Sequence, residues 1–160
     1  MKASTINELK QELANLPSAE LTELCLRLAR FKKENKELLT YLLFEAHDEA
    51  SYISSVKKEM DEQFANINSS NLYFAKKSIR KILRMANKFI RYSGSKTVET
   101  ELLIHFCSLL NETGIPYHKS TALLNLYNAQ IKKINAAIKA LHEDLQYDYL
   151  KEAKKLIFAQ

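Results

Sequence analysis

All-α is the fold class this sequence predicts, and three observations carry it. Only two Gly and two Pro occur in 160 residues, so element breakers are scarce. Leu, Lys, Glu and Ala dominate, and all four favour helix. Apolar residues recur at steps of three and four through nearly every segment, whereas no period-two run bounded by turn residues is found. The expectation is five to six helices, two of them long, in an antiparallel helical bundle. A short helical-repeat solenoid is the alternative, since alternating short and long helices suit both. At this length a single domain over 1–160 is expected, with a short N-terminal helix pair over 1–31 and the main helices over 35–160.

The first predicted helix opens on Thr5 and Glu8, the spacing of a capping box, and carries Ile6, Leu9, Leu13 and Leu16 on one face. Pro17 ends it. Ser18 is expected to cap a second helix whose apolar set is Leu21, Leu24, Cys25, Leu28 and Phe31. Asn35 is the expected cap of a third, long helix that runs to the "NINSSN" turn at 66–71. Its seven-residue series Leu39, Ala46, Ile53, Met60, Ile67 suits packing along a neighbour with a coiled-coil-like crossing. "HDEAS" at 47–51 is where such a helix would break. The fourth helix covers about 72–92 and stops at Gly94, a natural left-handed C-terminal residue. A Thr97 cap starts the fifth, with Val98, Leu102, Phe106, Leu109 and Leu110 inward. After the "GIPYHKS" loop, the sixth runs from about Thr121 toward the C-terminus, on a seam of Tyr127, Ile131, Ile134, Ile138, Leu141 and Leu145.

Charge is distributed unevenly along the chain. Residues 1–62 hold nine basic and twelve acidic side chains, and residues 99–160 hold seven of each. Residues 63–98 hold eight basic and no acidic ones, so the net charge of +5 belongs to one segment. On a helical wheel Leu72, Ala75, Ile79, Ile82, Leu83, Ala86, Phe89 and Ile90 occupy an arc of about 120°. Lys76, Lys77, Arg80, Lys81, Arg84, Lys88 and Arg91 fill an outward arc of about 140°. Core packing asks only for polar residues on that outer face and is indifferent to their sign. Like charges one turn apart repel by a few tenths of a kcal/mol per pair. The cations therefore meet either acids within the fold or an anion outside it. A hairpin of the third and fourth helices would set Lys76 and Lys77 near Glu62 and Asp61, and Lys88 and Arg91 near Glu49 and Asp48. It would also add Lys57 and Lys58 to the centre of the basic face.

The function expected is a non-catalytic interaction module whose basic helix contacts an acidic protein partner or another copy of itself. The alternative is non-specific nucleic-acid binding on the same face, with Tyr73, Phe74 or Tyr92 stacking on unpaired bases. No helix-turn-helix, zinc-finger or RNA-recognition signature accompanies it. A carboxylate–His enzyme site is the weaker alternative, built from pairs such as Glu101 and His105 one turn apart. Two glycines cannot build a phosphate loop, and neither Glu-x-x-His nor His-Glu-x-x-His spacing occurs, so no cofactor, metal ligand or small-molecule substrate is expected. Without a long apolar run, no membrane association is expected. Cys25 and Cys107 read as reduced core thiols of a cytoplasmic protein.

Overall fold

A computed structural model describes residues 2–158. Those residues form eight α-helices and no strand, which corrects the expected count of five to six. The helices are α1 (Ile6–Ala14), α2 (Ser18–Phe31), α3 (Lys33–Thr40), α4 (Glu49–Ala65), α5 (Leu72–Ser93), α6 (Lys96–Glu112), α7 (Thr121–Lys139) and α8 (Glu143–Phe158). A π-helical turn, Tyr41–Glu45, follows α3, and a 3-10 turn, Tyr117–Lys119, precedes α7. No helix among the described residues is long and apolar enough to cross a membrane.

The extra helices come from local hydrogen bonds that compete with helix continuation. The long third helix is interrupted after Thr40 by the π turn, and Asp48 then restarts it. The Asp48 carboxylate accepts from the Ser51 backbone N–H at 3.0 Å and from its hydroxyl at 2.6 Å, so an orphan donor of the first turn of α4 is satisfied. The expected C-terminal helix is divided at 140–142. There the Gln146 side chain donates to the Leu141 carbonyl at 2.8 Å and closes off the end of α7. Three caps also move. Asn35 lies inside α3, and its side chain donates to the Leu28 carbonyl at 2.8 Å, ending α2 instead of starting α3. Ser18 is the first residue of α2 and makes no capping bond. Ser95, not Thr97, caps α6 by accepting from the Val98 N–H at 3.4 Å. The Thr5–Glu8 capping box of α1 and the left-handed Gly94 (φ 64°) stand as the sequence implies.

The chain divides into two compact units, Met1–Phe44 and Glu45–Gln160. In the first, α2 and α3 pack as a pair, and Tyr41 is its one buried residue among those described. The second unit is organised around α6, which packs against α4, α5, α7 and α8. Val98, Leu102, Leu103, Phe106, Cys107 and Leu110 of α6 are fully buried. Apolar residues cover most of the circumference of "VETELLIHFCSLL", broken by the polar stripe Glu101, His105 and Ser108, the pattern of a helix with neighbours on most sides. Met60 and Phe64 of α4, Ile79 and Ile82 of α5, and Leu123 and Ile134 of α7 complete this core. Each large apolar side chain so buried contributes roughly 1.5–3 kcal/mol.

Candidate anion-binding face

α5 is placed by both of its ends and by one apolar stripe. Asn71 caps its start, accepting from the Tyr73 N–H at 2.9 Å, and the Gly94 N–H closes its end on the Ile90 carbonyl at 3.0 Å. Ala75, Ile79, Ile82, Leu83 and Ala86 face the core, so the opposite side is turned to solvent. Lys77, Arg80, Lys81, Arg84 and Arg91 are exposed there, and Lys76 is half-buried. Among the described residues, none of these six cations has a carboxylate within 4.0 Å. Residues 77–91 follow one ridge about 21 Å long, at 1.5 Å per residue. Lys77, Arg80, Lys81 and Arg84, with Ser78, Leu83 and Asn87, line a shallow concavity of about 710 Å³ along it.

Aromatic groups mark both ends of the ridge. Tyr73 and Phe74 are 60% and 52% exposed and meet edge to face at 5.5 Å. The Lys77 ammonium lies 4.6 Å from the Tyr73 ring centre. Tyr92 is half-buried at the other end, and the Lys88 ammonium sits 4.9 Å from the Phe89 ring and 6.0 Å from Tyr92. Lys88 is thus drawn toward its own helix's aromatics.

Lys57 does not join this face. It is half-buried between α4 and α6 and forms an ion pair with Glu101 at 2.5 Å, while Lys58 stays exposed. Nor, among the described residues, do the α4 acids pair with Lys76, Lys77 or Arg91 as the hairpin register implied. Asp61 pairs with His105 at 2.6 Å, and Asp48 is committed to its cap. The reason is geometric: α4 packs on α6 as well as on α5, so the side bearing Lys57 and Asp61 is turned to α6.

Those contacts form a second polar cluster, joining α4, α6 and α8. Glu101 accepts from Lys57 with one oxygen and from the Tyr149 hydroxyl at 2.7 Å with the other. Burial alone would raise the Glu101 carboxyl. The hydrogen bonds from Lys57 and Tyr149 outweigh burial and hold it below the usual range. Burial, then the bond to Glu101, pushes the Tyr149 phenol up. A cleft of about 290 Å³ beside this cluster is lined by Lys57, Glu101, His105, Ser108, Glu152 and Lys155. Glu101 and His105, which spacing suggested as partners, each bond elsewhere, so charges are matched across helices and the cluster reads as a cross-brace. No signal in the sequence pointed to Tyr149 as its third member. Of the two thiols expected in the core, Cys25 is instead exposed, while Cys107 is buried and its thiol is pushed up to about 12, which disfavours the nucleophilic thiolate. Among the described residues, no three His, Cys, Asp or Glu side chains converge to hold a metal ion.

No protein-family model, curated protein or solved structure matches this chain.

Proposed function

We propose that this chain is a non-catalytic helical interaction scaffold whose α5 face receives an acidic segment of a protein partner. One observation carries the reading: exposed Lys77, Arg80, Lys81, Arg84 and Arg91 stand in one row with no carboxylate in reach among the described residues. Holding like charges one turn apart disfavours the isolated helix. An acidic ligand would relieve that repulsion and release the counterions the row gathers. In the second unit every substantial helix–helix contact joins helices one or two places apart along the chain, which supports a short helical repeat over a closed bundle. Two free cysteines fit a reducing, cytoplasmic setting.

Tyr73 and Phe74 favour a second reading, single-stranded nucleic acid. Exposed rings beside cations are what a stacking platform needs, and a stacked base is worth roughly 1–3 kcal/mol. One experiment separates the two readings. Fluorescence anisotropy is measured with a labelled Glu-rich peptide and with a labelled single-stranded oligonucleotide across a salt titration. Salt-sensitive peptide binding, weakened at least about tenfold by Arg80→Glu, Lys81→Glu and Arg84→Glu together, is the result expected. Tighter oligonucleotide binding that falls with Tyr73→Ala and Phe74→Ala would favour the second reading. Flat titrations with both probes would refute the face as an anion site.

A further inference from the structure

The first unit keeps its apolar side chains uncovered to an extent that a free 44-residue segment can hardly sustain. Between α2 and α3 runs a groove of about 710 Å³ with Leu26, Leu39, Leu43 and Phe44 along it. Leu43 and Phe44 are 62% and 67% exposed. Arg30, Lys32, Lys33 and Lys36 line the same groove. Lys33 reaches Glu37 at 3.5 Å, but neither Arg30 nor Lys36 has a carboxylate within 4.0 Å among the described residues. The groove is therefore apolar along its length and positive at its edge.

α1 offers the complementary surface. Ile6, Leu9 and Leu13, spaced by three and four, form one apolar ridge that is 81%, 47% and 37% exposed. α1 thus does not fill the groove of its own chain, whose lining contains none of its residues. Charge divides along the same line. Residues 2–24 carry four Glu and two Lys, whereas residues 25–44 carry five Lys or Arg and two Glu. Glu12 flanks the α1 ridge, and Glu20 and Glu23 follow on the first half of α2.

We propose that two copies of this chain associate through their first units, the α1 ridge of each lying in the α2–α3 groove of the other. An amphipathic helix in an apolar groove is a recurrent recognition mode, and a two-fold pair satisfies both surfaces of both copies at once. The acidic half of each unit then faces the basic half of its partner, which fixes the orientation. A second copy is the fitting occupant because ridge, groove and both signs of charge are encoded within the same 44 residues.

Sedimentation velocity over roughly 1–100 µM, a range of ordinary reversible association, tests this on the full chain. A dimer is expected. Glu12→Lys, Glu20→Lys and Glu23→Lys together should raise its dissociation constant at least about tenfold, as should Arg30→Glu, Lys32→Glu and Lys36→Glu together. Mixing the two variants should restore a heterodimer, since each α1 then meets a groove of opposite sign. Leu9→Ser with Leu13→Ser, at exposed positions that leave the monomer fold intact, should also give monomers. Triple reversal at Arg80, Lys81 and Arg84 should change nothing. A monomeric wild type, a dimer that survives both charge reversals, a mixture that stays monomeric, or loss of the dimer on α5 reversal would each overturn the proposal.

Discussion

Tyr127→Phe removes one oxygen atom, and its effect can be worked through from the structure. Tyr127 is fully buried on α7, its ring stacked on Tyr117 with centroids 5.0 Å apart. The hydroxyl donates to the Leu156 carbonyl at 2.9 Å and accepts from the Asn111 side-chain N–H at 3.0 Å. Leu156 lies in the last turn of α8, where carbonyls have no partner within the helix. The phenol thus supplies a partner, from α7, for a carbonyl in the last described turn of α8. Phe keeps the ring and its packing, so the loss is confined to these two bonds. Asn111 is half-buried and still accepts from the Tyr117 hydroxyl at 2.7 Å, so water can serve its freed N–H. Leu156 is only 4% exposed, and among the described residues its carbonyl is left with no other side-chain partner. A buried acceptor left unpaired costs roughly 1–3 kcal/mol, and we expect about 2. Urea unfolding followed by far-UV circular dichroism should show a lower midpoint at unchanged slope. Hydrogen exchange should quicken in the last turns of α8 before anywhere else in the second unit. A midpoint equal to that of wild type would refute the assignment of this hydroxyl as the partner of the Leu156 carbonyl.

Two further outcomes follow from the polar cross-brace and the thiols. The folded-state value of Glu101 lies below the ordinary glutamate value of 4.5, so its stabilising contribution is fully present above 4.5 and is lost as pH falls through the depressed value. Urea midpoints taken from neutral pH down to about pH 3 should therefore fall less steeply for Glu101→Gln than for wild type; parallel curves would count against the brace. Mass spectrometry after iodoacetamide treatment of the folded protein should find one adduct, at exposed Cys25, while buried Cys107 stays unmodified until denaturant is added.

Where a structural signal is local in the chain, it was legible. The Thr5–Glu8 box, the Gly94 stop and the buried stripe Ala75, Ile79, Ile82, Leu83 and Ala86 all follow from short-range stereochemistry and helical period. The helix count was legible only in part: "HDEAS" marked the place where Asp48 restarts the chain as α4, but apolar spacing runs on through 41–45 and 140–142, and the second interruption is set by a single side-chain bond from Gln146. Position along a wheel likewise cannot say which of two neighbours a side chain faces. Lys57 and Asp61 lie on a helix with two partners, and they turn to α6. The links from Tyr149 to Glu101 and from Tyr127 to Leu156 join residues 48 and 29 apart, and no spacing rule reaches that far.

Those separations also bear on how the second unit assembles. Its helices meet only the next one or two along the chain in every substantial packing contact, and the widest side-chain link described spans 48 residues. Closing such short loops costs little entropy, since each doubling of loop length adds only about 0.6 kcal/mol. α6 can settle against α4 and α5 before α8 has left the ribosome, and each later helix finds a finished surface waiting for it.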